Sequence, residues 1–223
     1  MPGPVRVQIA GVASWEEALF AASEGADALG FPLRLPTGDP DLSEEAVRAI
    51  VAKLPVFVDA VAITYVETAQ EAIDLCRFLG VTVLQLHGEF PGAETRRIRA
   101  ALPYLRIVRA VPVTGPEALD EARRLEREAD ALILDTYDPR TGRRGATGLV
   151  HDWNVSREIA RAVRVPVILA GGLRPENVGQ AIETVRPWAV DVHTGVEEPD
   201  GTRSLAKIRE FIRRAKAAGA VEP

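Results

Sequence analysis

Cysteine and histidine are scarce in this chain of 223 residues. The one cysteine, Cys76, excludes an internal disulfide and any cluster of thiolate metal ligands. It lies among apolar residues at helical spacing, so we expect a buried structural thiol. The three histidines, His87, His151 and His193, show no HxH or HExxH spacing. The sequence therefore predicts no metal site.

Clustered positive charge and long apolar runs are also lacking. Lys and Arg number 27 against 32 Asp and Glu, and this mildly acidic balance argues against a nucleic-acid partner. No stretch approaches the ~18 apolar residues that span a membrane. The first residues do not combine a charged region with a long apolar run, as a secretion signal would. We therefore expect a soluble, cytoplasmic protein without a membrane partner.

Short apolar runs rich in Val, Ile and Leu alternate with amphipathic helical patterns along the chain. Such runs are typical of strands buried on both faces of a parallel sheet. The candidate strands are Val5–Ala10, Ala28–Phe31, Phe57–Ile63, Val83–His87, Ile107–Val111, Ala131–Asp135, Val167–Ala170 and Ala189–Val192. Eight strand–helix units favour the α/β class, with residues 1–223 forming a single-domain (β/α)8 TIM barrel. The alternative is a doubly wound Rossmann-like sheet, which the absence of GxGxxG after the first strand disfavours.

Helix start signals support this division of the chain. Ser14 and Glu17 have the spacing of a capping box, Ser43 precedes the second helix, and Asp152 or Asn154 could cap the sixth. The stretch from Tyr137 to Val150 is the longest without an apolar period. In a barrel it would follow strand six and cover the mouth.

The active sites of such barrels lie where the strands end, so the residues at these ends are the candidates. Strand six ends in Asp135 after four apolar residues, a setting that raises a carboxyl pKa and suits acid–base work. A capping role is the alternative for this aspartate. Strand four ends in Gln85 and His87, and a hydrogen-bonded structural role for His87 competes with one as a base. Strand one ends in Ala10 with no ionisable side chain.

Glycines follow strands seven and eight. Gly171 and Gly172 come after the seventh strand, and Thr194 and Gly195 come shortly after the eighth. Glycine lets backbone N–H groups approach an anion closely, and helix N-termini add attraction for it. Two such turns at these strand ends predict a phosphate site.

Six segments together resemble the phosphoribosylanthranilate isomerase family, in that family's order and over nearly the whole chain. They are GADALGF (Gly25–Phe31), LQLHGE (Leu84–Glu89), LILDT (Leu132–Thr136), GATGLVHDW (Gly145–Trp153), ILAGGLRPENV (Ile168–Val178) and VDVHTGVE (Val190–Glu197). The resemblance implies a TIM barrel of tryptophan biosynthesis. It also implies an Amadori rearrangement of N-(5-phosphoribosyl)anthranilate that needs no cofactor.

The resemblance assigns roles to some residues and leaves one role vacant. The family's general acid at strand six matches Asp135. The family's general base is a cysteine in a Lys-Ile-Cys-Gly-Ile-Thr segment, and here that segment reads QIAGVA, so Ala10 replaces the cysteine and Gln8 the lysine. His193 stands where the family usually has serine. A methyl group cannot accept a proton, so the base is missing from its usual place.

A second departure follows strand two. The family has an arginine there that meets the anthranilate carboxylate, whereas this chain has an acidic stretch at 38–41. Arg34 could substitute for the arginine. We assign Arg34, Gln85, His87 and Asp191 to substrate binding, alongside the phosphate-binding glycines.

Three functions are compatible with this pattern. The first is a phosphoribosylanthranilate isomerase that is weak or altered because its base is missing. The second is another enzyme of phosphorylated sugars that uses Asp135. The third is a barrel that binds a phosphorylated metabolite without catalysis. Each takes a small phosphorylated ligand, and the chain would be a monomer or a homodimer.

Overall fold

The computed structural model describes residues 5–36, 40–138, 143–144 and 150–219, with the backbone alone at 137–138 and 143–144. Eight parallel strands form a closed barrel in the order β1-β10-β9-β6-β5-β4-β3-β2. Its strands are β1 (Arg6–Ala10), β2 (Ala28–Leu33), β3 (Asp59–Thr64), β4 (Val83–Leu86), β5 (Arg106–Pro112), β6 (Ala131–Asp135), β9 (Val167–Leu169) and β10 (Ala189–Val192). The predicted barrel is confirmed, and the doubly wound alternative is wrong because the sheet closes on itself.

All eight predicted strands are present, with small differences at their ends. The third begins at Asp59 instead of Phe57, since Phe57 has a φ of 73° and is 97% exposed. A positive φ is incompatible with a strand in a parallel ladder. The second and fifth strands are longer than predicted, and β9 and β10 are the seventh and eighth barrel strands.

A helix follows each barrel strand. The helices are α1 (Trp15–Ser23), α2 (Glu44–Val51), α3 (Ala69–Leu79), α4 (Gly92–Ala101), α5 (Ala118–Leu125), α6 (Trp153–Ala162), α7 (Val178–Val185) and α8 (Leu205–Gly219), with a 3-10 helix at Thr194–Val196. Among the described residues, no helix is both long enough and apolar enough to cross a membrane.

The predicted helix caps are largely as expected. The Ser14 hydroxyl accepts a hydrogen bond from the Glu17 N–H at 3.1 Å. The Glu17 carboxylate reaches back to Ala13 N–H, one residue beyond the position of a capping box. Ser43 caps α2, and Asp152, the first of the two candidates, caps α6. These contacts hold the helix starts against the strand ends that form the mouth.

Along each barrel strand, side chains alternate between pointing outward to the helices and pointing into the barrel. Residues that point outward, such as Val7, Ile9 and Leu134, pack against the helices in the main hydrophobic core. Cys76 belongs to this core and is fully buried, and burial raises the pKa of its thiol to about 12. It is therefore an inert structural thiol, as predicted.

The loop predicted to cover the mouth lies mostly outside the described residues. Its described parts are two short strands, β7 (Tyr137–Asp138) and β8 (Arg143–Arg144), which pair in antiparallel fashion. That it covers the mouth stays a prediction.

Candidate active site

A cavity opens at the mouth between the ends of β6, β9 and β10, where the sequence predicts the chemistry. It is lined by Asp135, Ala170, Gly171, Gly172, Leu173, Asp191, Val192, His193, Thr194 and Gly195. The predicted acid, the predicted phosphate-binding residues and Asp191 are thus brought together. Gln85, His87, Ala10 and Arg34 are not among the residues that line this cavity.

Asp135 ends β6 and is 7% exposed. Its Oδ1 accepts a hydrogen bond of 2.7 Å from the Thr136 N–H. Burial raises the pKa of Asp135 to about 6, although the bonds from Thr136 favour the charged form. A carboxyl with a pKa close to neutrality can donate a proton and then recover one, which a general acid must do.

Asp191 lines the same cavity from β10. Burial, followed by the charge of Asp135, raises the pKa of Asp191 to about 8, and a hydrogen bond from Gln8 acts against the rise. Two buried carboxyls that face one cavity do not both ionise easily, and Asp191 is the one that keeps its proton longer. Within the described residues its Oδ1 is buried without a hydrogen-bond partner. Such an atom is costly unless a ligand or water meets it.

A polar chain crosses the barrel interior from Asp191. Gln8, which pairs with Asp191 in the β1–β10 register, donates from Nε2 to Gln85 Oε1 at 3.1 Å. Gln85 Nε2 then lies 2.9 Å from His87 Nε2. Burial lowers the pKa of His87 to about 4, so the ring is neutral at pH 7 and accepts from the Gln85 amide. These contacts favour the structural interpretation of His87 over the one as a base.

The turn after β9 is built by glycines and by Asn177. Gly171 and Gly172 have φ of 80° and 64°, a conformation that other residues rarely adopt. Asn177 Nδ2 donates to the Gly172 carbonyl at 3.0 Å, and its Oδ1 accepts from the Arg174 N–H at 2.8 Å. The Pro-Glu-Asn segment of the sequence thereby locks this turn.

The two glycine turns also pack against their neighbours through backbone. A Cβ on Gly171 would press on the Thr136 amide, and a Cβ on Gly195 would collide with the Leu173 carbonyl. The turns after β9 and β10 therefore touch each other beside the end of β6. That these glycines bring backbone N–H groups to a phosphate stays a prediction.

The end of β1 is different in character. Ala10 is 3% exposed and packs with Val61 and Ile63 inside the barrel. The next residue, Gly11, has a φ of 71°, and its carbonyl accepts a 2.7 Å hydrogen bond from Arg203 Nε. A Cβ on Gly11 would collide with the Arg203 guanidinium and the His193 imidazole. The basic side chains of Arg203 and His193 thus cover the end of β1, where the family's cysteine is missing.

Two carboxylates complete this group, which we call the β1 cluster: Asp41, His193, Glu197 and Arg203. His193 Nε2 lies 3.8 Å from Glu197 Oε1 and 4.0 Å from Asp41 Oδ2. The Arg203 side chain is 4% exposed; it pairs with Glu197 and lies 3.6 Å from Asp41.

Sequence reasoning missed the β1 cluster. Its members come from two connections, the one before α2 and the one before α8, and Arg203 is in a turn without periodic pattern. The acidic stretch after strand two was noted only as a departure from the family, whereas Asp41 meets two basic side chains. Gly38 and Asp39 of that stretch lie outside the described residues.

Arg34 has other partners than the predicted aryl carboxylate. Its guanidinium bonds Glu44 at 2.8 Å and 3.2 Å and the Glu71 carbonyl at 3.0 Å, which holds it against the starts of α2 and α3. Glu44 raises the pKa of Arg34, so the pair is fully charged. An arriving carboxylate would have to displace Glu44 from this arginine. The expected substitution for the lost arginine therefore conflicts with the contacts observed.

Comparisons with known proteins agree with one another. The family described as N-(5'phosphoribosyl)anthranilate (PRA) isomerase matches residues 7–214. The N-(5'-phosphoribosyl)anthranilate isomerase of Methanocella arvoryzae is 40% identical over 95% of this chain and 98% of its own.

Solved structures give the same result. Phosphoribosyl anthranilate isomerase in complex with reduced 1-(o-carboxyphenylamino)-1-deoxyribulose 5-phosphate has a TM-score of 0.81 and 33% identity, over 96% of this chain and 99% of that one. Monomers of the dimeric phosphoribosylanthranilate isomerase of Thermotoga maritima also have a TM-score of 0.81, with 32% identity over the same shares.

Proposed function

This chain belongs to the N-(5'-phosphoribosyl)anthranilate isomerase family, and we propose that it catalyses the Amadori rearrangement of N-(5-phosphoribosyl)anthranilate in tryptophan biosynthesis. The observation that carries the proposal is the single cavity that joins Asp135 to both glycine turns. It offers a proton donor and an anion site at the two places where a phosphorylated furanose needs them.

The phosphate is held by the turns after β9 and β10. Gly171, Gly172, Thr194 and Gly195 line one cavity, and backbone amides at helix starts attract anions. Asp191 lines this cavity, its Oδ1 has no hydrogen-bond partner among the described residues, and we expect this carboxyl to bond a sugar hydroxyl. Gln85 and His87 sit deeper and hold Gln8 and Asp191 in place.

Asp135 starts the reaction. Its carboxyl gives a proton to the ring oxygen, the bond from that oxygen to C1 breaks, and the nitrogen lone pair forms a C=N⁺ bond to C1. The pKa of about 6 keeps a useful protonated fraction near neutral pH. The next step removes the proton from C2, and Ala10 cannot accept it. We therefore expect slower turnover than in a chain with a thiolate at position 10.

The test is a steady-state assay with phosphoribosylanthranilate on the unaltered protein and on Asp135→Asn. The asparagine keeps an oxygen for the Thr136 N–H but cannot donate an acidic proton, so the fold should remain while kcat falls about 10²–10⁴-fold. Asp120→Asn, on the exposed face of α5, is the matched control and should keep full activity. An active Asp135→Asn enzyme would disprove the role of this residue.

The absence of turnover by the unaltered protein would favour the other two functions. Binding of phosphate esters without isomerisation then indicates a different substrate or a non-catalytic barrel. Isothermal titration with ribose 5-phosphate distinguishes loss of chemistry from loss of the site.

The number of copies stays a prediction of monomer or homodimer. The Thermotoga relative is described as dimeric, and here Val56 and Phe57 are 81% and 97% exposed before β3. A second copy would cover this apolar pair. Sedimentation of the unaltered protein and of Phe57→Ser distinguishes the two states.

A further inference from the structure

We propose that the His193 imidazole is the general base that removes the C2 proton, in place of the cysteine missing at position 10. This assignment rests on the proposed isomerase activity. It starts from the β1 cluster, which brings an imidazole to the strand end where a proton acceptor is needed and absent.

The position of His193 relative to Ala10 follows from strand register. Ile9 pairs with Val192, so His193 follows β10 at the level where Ala10 ends β1. Its Nε2 lies over Gly11, the neighbour of Ala10. Adjacent parallel strands lie about 4.8 Å apart, so a side chain on one can serve a substrate atom placed over the next.

The same residue also belongs to the lining of the candidate active site. His193 lines the cavity with Asp135 and Asp191, and it directly precedes Thr194 of the predicted phosphate site. A ribose chain anchored at its C5 phosphate and protonated by Asp135 must run past this corner of the mouth. The base and the acid then lie on different strand ends around one substrate, as proton transfer at two atoms requires.

The charges around His193 favour a protonated ring after transfer. The Glu197 and Asp41 carboxylates lie 3.8 Å and 4.0 Å from Nε2. Arg203 pairs with both carboxylates and so fixes their positions, while its own charge offsets part of theirs. Asp135 and Asp191 are the other ionisable groups that line the cavity. Negative charge this close to Nε2 stabilises the imidazolium that forms when the ring takes a proton.

The proton balance closes without another reactant. Nε2 takes the C2 proton, the C–H electron pair becomes the C1=C2 bond, and the C1=N⁺ pair returns to nitrogen. The imidazolium then returns a proton to C1, while the C2 hydroxyl gives its proton to the Asp135 carboxylate, which had protonated the ring oxygen. The product is the 2-keto sugar, and both side chains regain their starting state.

The experiment compares the unaltered protein with His193→Asn and His193→Gln, using substrate with hydrogen or deuterium at C2. We expect kcat to fall about 10²–10³-fold with KM changed only a few-fold, because a base acts on the chemical step. The isotope effect on kcat should grow as proton removal becomes slower. The acid limb of the pH–kcat profile should disappear, a change that a purely structural role would not produce.

Two further variants sharpen the result. Asp41→Asn removes one carboxylate next to the ring and should shift the acid limb to lower pH, whereas Asp120→Asn should leave the profile unchanged. Ala10→Cys in the His193→Asn background supplies another acceptor at the same corner and should restore part of kcat. Melting curves confirm that each variant is folded.

The outcomes separate this assignment from the proposed function. Turnover by the unaltered protein that persists, with its pH profile, in both His193 variants would overturn the assignment alone. Loss of the acid limb in Asp191→Asn but not in His193→Asn would transfer the role of base to Asp191. A complete lack of isomerisation by the unaltered protein would overturn the proposed function and this assignment with it.

Discussion

The two sides of the barrel mouth are built from different parts of the chain, backbone on one side and side chains on the other. The side formed by β9 and β10 uses backbone: glycines with positive φ, a turn locked by Asn177, and direct contact between Gly195 and the Leu173 carbonyl. The side formed by β1 uses side chains, which come from the connections before α2 and α8 as the β1 cluster. Backbone sites tolerate few substitutions, whereas a side-chain function can be taken over by a neighbour.

This difference accounts for where the sequence departs from its family. The glycines after β9 and β10 remain, and a Cβ added at Gly171 or Gly195 would press on the backbone of Thr136 or Leu173. At the end of β1 the cysteine is replaced by Ala10, and a histidine on the adjacent strand end lies over Gly11. We therefore expect substitutions on the β9–β10 side to disrupt the site, and substitutions on the β1 side to be better tolerated.

The largest effect should come from breaking the backbone side. Gly195→Glu places a Cβ against the Leu173 carbonyl and a negative charge in the predicted phosphate site. We expect phosphate-ester affinity to fall about 100-fold or more, equivalent to roughly 3 kcal/mol of binding free energy. Titration with ribose 5-phosphate measures this.

Ala100→Glu is the control for that change, since Ala100 is exposed in the last turn of α4, and each helix of the barrel begins beside the mouth and ends far from it. It adds the same charge away from the mouth and should bind normally. Unchanged affinity in Gly195→Glu would place the phosphate elsewhere.

An intermediate effect should come from restoring a proton acceptor on the β1 side of the mouth. Ala10→Cys returns a thiol to the end of β1 and should raise kcat by ~10-fold, and by up to ~10² if the thiolate is well placed. Phosphate affinity should hardly change, because the other side of the mouth is untouched. Steady-state kinetics separate kcat from KM.

The double change Gln8→Lys with Ala10→Cys should raise kcat further, since a nearby cation favours the thiolate. Gln8 bonds Gln85 and Asp191, so the lysine would also meet the Asp191 carboxyl. If the unaltered protein already turns over at ~10 s⁻¹, a rate typical of enzymes, then a cysteine at position 10 is not needed for catalysis. If neither variant gains activity, the loss of the family's arginine after β2 becomes the limiting defect.

The smallest effect concerns the pH dependence of folding stability that is linked to Asp191, on β10 beside β1. The pKa of Asp191 is raised from 3.8 to about 8 in the fold, so the folded state keeps a proton that the unfolded state loses above pH 4. The stability linked to this proton is complete below pH 4 and is lost as the pH rises to about 8. Asp191→Asn removes this dependence.

Melting temperatures at pH 5 and pH 8 test this linkage. The unaltered protein should lose several degrees more between these values than Asp191→Asn, since each kcal/mol is worth about 2–4 °C in a chain of this size. Asp120→Asn, exposed on α5, should behave like the unaltered protein. Equal losses in all three proteins would contradict the raised pKa of Asp191.

The fold was largely readable from the sequence because its signals are local. Dense Val, Ile and Leu runs marked all eight strands, and the Ser14, Ser43 and Asp152 caps marked helix starts. The errors are at ends, as at Phe57, where an unusual φ rather than residue type decides. Asp135 and the glycines were found for the same reason, since a strand end is a local feature that the barrel places at the mouth.

Contacts between residues distant in the chain could not be read from the sequence. Arg34 could be proposed as a ligand from its position, but its pairing with Glu44 depends on how β2 meets α2. The pairing of Gln8 with Asp191, and the meeting of Asp41, His193 and Arg203 over Gly11, depend on barrel closure between the first and last strands. Periodicity and motif spacing describe neighbours along the chain, whereas closure joins its two ends, so no sequence pattern announces the β1 cluster.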